Sequence, residues 1–149
     1  MNTTDKLTDV LKKAKPEDLT EYFEEHWESI IQDERPFATY MRILLREKGL
    51  KQQELFVLAD IPERYGYRLI SEERHTKQRD VILRLCIAGK LSLDETQKAL
   101  RLAGFPILYP KLPRDAILMV AINRGVGDVH AADNLLAEHD MEPLAPCGQ

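Results

Sequence analysis

Four side chains with hydrogen-bonding chemistry stand close together in the stretch ERYGYRLI, residues 63–70. Arg64 and Arg68 are four residues apart, so a helix would place them on one face, with Tyr67 beside them. A guanidinium group donates two parallel hydrogen bonds, which match the O6 and N7 acceptors of guanine in the major groove. Tyr67 can meet a thymine methyl group or a phosphate, and Glu63 can accept from cytosine N4 or simply favour the positive end of a helix. These four residues are therefore candidates for contacts with DNA bases.

The side chains around this stretch have the chemistry for phosphate contacts, which fix the register of a protein on DNA without reading its sequence. The candidates are Lys51, Tyr65, Arg74, Lys77 and Arg79. Tyr65 has a second interpretation as a packing residue. An exposed face rich in arginine and tyrosine is also common on solvated or protein-binding surfaces, so that alternative stays open for Arg64, Tyr67 and Arg68.

Two short helices separated by a break would position these side chains. Apolar spacing predicts one helix over Gln52–Ala59 and a second over Glu63–Ser71. Between them, Asp60 tolerates the left-handed conformation, Ile61 can enter the core and Pro62 suits the first turn of a helix. Two helices packed around such a break form a helix-turn-helix. The residues predicted to face the core are Leu55, Phe56, Leu58, Ala59, Leu69 and Ile70.

The fold class is predicted to be all-α. Glycine and proline divide the chain into segments with helical apolar spacing, and no long period-two alternation indicates a sheet. Ser92 and Glu95 form a capping box at the start of one segment, and Gly49 ends another. Besides the two helices above, the sequence predicts helices at 4–14, 17–31, 37–48, 79–88, 93–103, 114–123 and 127–139.

The order of these segments predicts four parts. Residues 1–35 form an acidic N-terminal helical pair, in which Trp27 packs in the core. Residues 36–104 form the helix-turn-helix domain, residues 105–140 a C-terminal helical extension, and residues 141–149 a flexible tail.

Residues 37–104 resemble the Cro/repressor-like helix-turn-helix proteins, usually called the Xre family. The resemblance rests on a first helix ending in EKGL, on KQQEL with glutamine opening the second helix, on the turn and on two closing helices. It implies a five-helix, lambda-repressor-like bundle and a bacterial-type, sequence-specific transcriptional regulator. It also implies that Gln52 contacts a phosphate and Gln53 a base, helped by the free N–H groups at that helix start.

The chain departs from the family pattern at several positions. The family usually has a small residue at the fifth position of the motif and a bulky aliphatic at the fifteenth, where this chain has Phe56 and Gly66. These positions face one another across the two helices, so the exchange conserves local volume. Asp60 stands at the family's turn glycine, and Glu72 stands at the glycine that often follows the reading helix.

The charge is distributed unevenly along the chain. The net charge is −4, yet residues 36–90 carry eleven basic and seven acidic groups, a local net charge of +4. Residues 1–35 have a net charge of −5 and residues 91–149 of −3. A basic middle between acidic flanks is expected if only the middle faces phosphate.

Other function classes lack their usual sequence signals. The four histidines are scattered and the two cysteines are differently placed, so we expect no metal site, no cofactor and no disulfide. No phosphate-binding glycine loop, nucleophile elbow or His/Glu metal motif occurs, so we expect no catalytic site and no enzyme. No apolar segment approaches the roughly 20 residues of a membrane span, and no signal peptide is visible. The sequence thus predicts a cytoplasmic protein without a membrane partner.

The expected partner is double-stranded DNA, bound by a homodimer, because one reading helix covers only a few base pairs. The apolar stretch RDAILMVAIN, residues 114–123, would complete the core or form the dimer interface. A rival interpretation is an adaptor that keeps the helix-turn-helix fold and binds proteins through its acidic N-terminal or C-terminal helices. In a third interpretation, residues 1–35 cover the basic surface until a partner removes them.

Overall fold

The computed structural model describes residues 3–25, 36–71 and 75–146, and all regular secondary structure within these ranges is helical. The predicted all-α class is therefore confirmed. The chain divides into two compact units, residues 1–34 and 35–149. The helices are α1 (Thr3–Lys13), α2 (Leu19–Glu25), α3 (Pro36–Lys48), α4 (Gln52–Ala59), α5 (Glu63–Ser71), α6 (Arg79–Ala88), α7 (Leu93–Leu102), α8 (Pro113–Asn123) and α9 (Val129–Glu138).

In the first unit, a short 3-10 helix, Pro16–Asp18, separates α1 from α2. The backbone N–H of Lys15 donates to Oδ2 of Asp18 at 2.8 Å, which ties down the start of this turn. Pro16 has no N–H to contribute and suits the first position of a helix. The helix predicted over 17–31 thus begins as a 3-10 turn, and residues 26–35, with Trp27, lie outside the described residues.

The core of the second unit is built around α6. Every residue of this helix from Val81 to Ala88 is buried, because α4, α7 and α9 all pack against it. Helix α3 packs on α5 and α7, and α4 also packs on α5, so these five helices share one core. The predicted capping box starts α7, with Ser92 N–H donating to Glu95 Oε1 at 2.8 Å and Glu95 N–H donating to Ser92 Oγ at 3.1 Å.

Helices α8 and α9 pack on each other and extend the same core. Leu118, Ala121 and Ile122 of α8 are buried, whereas Val120 is 51% exposed. The stretch 114–123 therefore completes the core with one side and presents apolar surface on the other.

Residues 141–146 differ from the predicted flexible tail. Leu144 is only 2% exposed and belongs to the hydrophobic core. The backbone of this segment is hydrogen-bonded to side chains of α6, α8 and α9, which fixes it in place. Residues 147–149 lie outside the described residues.

Candidate nucleic-acid interface

Helices α4 and α5 are joined by the short turn that the sequence predicts. Asp60, which follows α4, has φ 55° and ψ 51°, the left-handed conformation expected of it. The N–H of Ile61 donates to the carbonyl of Phe56 at 3.0 Å, and Ile61 is 5% exposed. The carbonyl of Pro62 accepts the N–H of Gly66 at 2.9 Å, so α5 begins directly after the proline.

The ring of Phe56 on α4 lies directly against Gly66 on α5. A Cβ atom added at Gly66 would lie 2.6 Å from Cγ and Cε1 of Phe56, a separation that real Cβ atoms essentially never show. The ring of Phe56 thus fills the space that a side chain at Gly66 would need. The predicted exchange of volume between these two positions is confirmed.

Phe56 also supports an exposed aromatic side chain of α5. Its ring meets the ring of Tyr67 edge to face, with centroids 4.9 Å apart and an interplanar angle of 82°. Phe56 is 1% exposed, whereas Tyr67 is 42% exposed. Edge-to-face pairs of this kind are favourable beyond their buried area, so the core holds Tyr67 at the surface in a defined orientation.

A shallow groove runs between α3, α4 and α5. It encloses about 470 Å³, and its lining consists of Arg42, Gln52, Arg64, Tyr67, Arg68, Ile70 and Ser71. We call it the arginine groove. Three guanidinium groups and the first residue of α4 therefore converge, and none of the lining residues that the structure describes is a carboxylate.

The three arginines of this groove keep their hydrogen-bonding capacity within the described part of the chain. The ion pairs formed among residues 3–25, 36–71 and 75–146 involve Lys48, Arg79 and Arg114, not the arginines of the groove. Guanidinium groups in this state can bind carboxylate, phosphate or the acceptor edge of guanine. The arginine groove therefore has the chemistry to bind an anion or the acceptor edge of guanine.

The predicted base contacts fall partly inside this groove. Arg64, Tyr67 and Arg68 line it, whereas Gln53 and Glu63 are exposed at the first turns of α4 and α5 without belonging to the lining. Of the predicted phosphate contacts, Gln52 lines the groove and Lys51 and Lys77 are exposed elsewhere on the surface. Arg74 lies outside the described residues, as does Glu72.

The prediction for Tyr65 as a phosphate contact is wrong in this structure. Tyr65 is only 7% exposed and belongs to the hydrophobic core. On α5 it lies 200° around the helix from Tyr67, so the two tyrosines occupy opposite sides. Its second interpretation, as a packing residue, is the correct one.

The prediction for Arg79 as a phosphate contact is also contradicted. Its guanidinium forms a two-pronged ion pair with Asp115, with both N–O distances 3.0 Å. It donates further to the carbonyl oxygens of Pro106 at 3.0 Å and Ile107 at 2.9 Å. Arg79 therefore fixes the connector between α7 and α8 and uses four of its five N–H groups within the chain.

Two further positions differ from the sequence prediction. Leu58, expected to face the core, is 41% exposed, because Leu55 and Ala59 already occupy the buried side of α4. Arg42 lines the arginine groove but was not among the predicted contacts. Arg42 is half-buried beside the buried side of α3, and the packing of α3 on α5 brings it to the groove.

Among residues 3–25, 36–71 and 75–146, no group of three histidine, cysteine, aspartate or glutamate side chains could hold a metal ion. No helix in these ranges is long and apolar enough to cross a membrane. Comparisons with protein-family models, with curated proteins and with solved structures gave no match to this chain.

Proposed function

We propose that this protein binds double-stranded DNA sequence-specifically through α4 and α5, as a helix-turn-helix transcriptional regulator of the Cro/repressor-like kind. The observation that carries the proposal is the arginine groove, where Arg42, Arg64 and Arg68 converge and no described residue of the lining carries a carboxylate. Phosphate attraction supplies most of the affinity of such proteins for DNA. The net charge of +4 over residues 36–90 supports that role.

The side chains of the groove divide by their chemistry. Arg64 and Arg68, four residues apart on α5, suit bidentate contacts to guanine, and Tyr67 is oriented beside them by Phe56. Gln52 is the first residue of α4, where free backbone N–H groups favour a phosphate. Arg42 adds a cation for the phosphate backbone. Lys51 and Lys77 are exposed and can contact phosphates at the edge of the complex.

A homodimer is part of the proposal, because a single reading helix covers few base pairs. Leu112 and Val120, at the start and along the length of α8, are 52% and 51% exposed and offer apolar surface for a second copy. Replacing both with aspartate should convert a dimer to a monomer in light scattering. Val57→Asp is the matched control, since Val57 is 76% exposed on α4. A dimer that survives the α8 changes would remove α8 from the interface.

The experiment that tests DNA binding is selection of sites from a random duplex library at about physiological salt, where weak charge attraction is screened. The wild type should enrich an inverted repeat, and the Arg64→Ala/Arg68→Ala variant should not. The control is Arg101→Ala/Arg124→Ala, which makes the same change of charge at exposed residues outside the groove. Failure of the wild type to enrich any sequence would refute the proposal.

A protein-binding adaptor remains a second candidate, and exposed apolar side chains favour it. Ile107 and Tyr109, in the connector before α8, are 42% and 49% exposed. Salt distinguishes the two functions, since several phosphate contacts lose orders of magnitude in affinity over a few-fold rise in salt. An interface driven by apolar burial changes little under the same conditions.

A further inference from the structure

Residues 142–145 are bound by side chains along their whole backbone. Arg114 donates to the carbonyl oxygens of Glu142 at 3.1 Å and Pro143 at 2.9 Å. Arg84 donates to the carbonyl oxygens of Leu144 at 3.0 Å and Ala145 at 2.8 Å. We call residues 142–145 the strap. Every carbonyl of the strap thus accepts from an arginine.

The amide groups of Leu144 and Ala145 are recognised as well. Leu144 N–H donates to Oδ1 of Asp133 at 2.8 Å, and Ala145 N–H donates to Oδ2 of Asp80 at 2.9 Å. Pro143 has no N–H that would need a partner. Leu144 itself is buried in the core, so one apolar anchor accompanies these paired backbone groups.

Four side chains on three helices form this cleft, and two of them are joined by an ion pair. Asp80 and Arg84 stand one turn apart on α6, Arg114 is on α8 and Asp133 is on α9. Both oxygens of Asp80 accept from Arg114, at 3.1 and 2.9 Å. The recognition groups belong to helices, whereas the strap contains no helix. Its departure would break no secondary structure.

Arg84 makes an empty cleft energetically unfavourable. Arg84 is 5% exposed, and among the described residues no carboxylate lies within ion-pair distance of its guanidinium. Two of its three hydrogen bonds go to the strap, and the third goes to the carbonyl of Ala59 at 3.2 Å. Because a buried cation without partners is costly, the cleft is stable only with carbonyl oxygens in place.

We infer that the cleft formed by Asp80, Arg84, Arg114 and Asp133 is a peptide-binding site, which the strap fills in cis and an extended partner peptide fills in exchange. Such a peptide has a buried leucine preceded by proline, in the manner of Pro143-Leu144-Ala145. Its backbone carbonyls meet the two arginines and its amides meet the two aspartates. This site is separate from the arginine groove and does not rest on DNA binding.

The test uses the full chain with Leu144→Asp, which prevents the strap from seating in the apolar core, and a fluorescent synthetic peptide DMEPLAP. The variant should bind this peptide saturably, and it should not bind DMEPDAP. The wild type should bind at least about tenfold more weakly, because its own strap competes at a high effective concentration. Adding Asp133→Ala to the variant should weaken binding about tenfold or more, since a charged acceptor is lost.

Two results would overturn the inference. A folded Leu144→Asp chain that binds neither peptide, or both equally, has no peptide site. If that variant does not fold, amide hydrogen exchange of the wild type tests whether the strap can leave the cleft. The Leu144 and Ala145 amides should exchange by local opening, much faster than those of α6. Exchange of both only through global unfolding would make the strap a permanent part of the core.

Discussion

The ring of Phe56 occupies the space that a side chain at position 66 would need, so only glycine fits there. A Cβ atom at Gly66 would lie 2.6 Å from two ring carbons, and Phe56 is 1% exposed with no room to move outward. This pair sets how closely α5 approaches α4. Since the same ring orients Tyr67, the contact also positions one side of the arginine groove.

Gly66→Ala is expected to lower the free energy of unfolding by about 1–3 kcal/mol, because the added methyl group overpacks against Phe56. In a Phe56→Ala background the same change should instead stabilise by about 0.5–1 kcal/mol, since alanine is the better helix former. Urea denaturation of the four chains measures both effects.

Val57→Ala serves as the control for substitutions on α4, because Val57 is 76% exposed and should change stability by less than about 0.5 kcal/mol. Stabilisation by Gly66→Ala in the presence of Phe56 would contradict the contact between these two positions.

The parts of this molecule that the sequence predicts well depend on short-range relations. The turn at Asp60 and the fit of Phe56 to Gly66 involve residues at most ten positions apart, and the capping box at Ser92 spans three. Local spacing and backbone preference decide such features, so they can be read from neighbouring residues.

The parts that the sequence does not predict depend on distant partners. Arg79 meets Asp115 from 36 positions away, and Arg84 meets Ala145 from 61. An arginine in a polar turn looks like a surface cation until its partner is known. The strap looks like a frayed tail for the same reason, because its order comes from side chains on three other helices.

Arg79→Gln and Lys77→Gln should differ in their effects on stability, although each removes one positive charge and the two positions are close in the sequence. Arg79→Gln leaves the buried carboxylate of Asp115 without its ion pair, so it should cost about 3 kcal/mol of stability. Lys77 is exposed, and its substitution should change stability by less than about 0.5 kcal/mol. Urea denaturation measures both.

For the salt dependence of DNA affinity, the larger effect is expected from Lys77→Gln instead. Lys77→Gln should reduce the slope of log affinity against log salt by about 1, whereas Arg79→Gln should leave that slope unchanged. A reduced slope in a folded Arg79→Gln chain would show that its guanidinium reaches phosphate after all.

Acid should destabilise the second unit through Asp80 and Asp115. Burial raises the pKa of each carboxyl, but hydrogen bonds and charge from Arg114 and Arg79 outweigh it and hold both pKa values below the ordinary 3.8. The folded state therefore binds these protons more weakly than the unfolded chain. The stabilisation is present well above pH 3.8 and is lost as pH falls through the lower, folded pKa values.

Urea denaturation between pH 7 and pH 3 should accordingly show a falling free energy of unfolding at the acid end. Asp115→Asn removes one of these titrating groups, so its curve should start lower at pH 7 and fall less steeply. Parallel curves for the wild type and Asp115→Asn would contradict the depressed pKa of Asp115.

Cys86 should be inert to thiol reagents while the chain is folded. Burial, with a smaller contribution from the charge of Glu95, raises the pKa of this thiol to about 12 against the opposing hydrogen bond with Thr96. The side chain is also 0% exposed, so a reagent cannot reach it.

In a Cys147→Ser chain at pH 8, iodoacetamide should therefore label Cys86 only when the core opens. Its rate should rise steeply with urea below the unfolding midpoint and reach that of a free thiol above it. Rapid labelling without urea would mean that α6 is not the closed centre of the core.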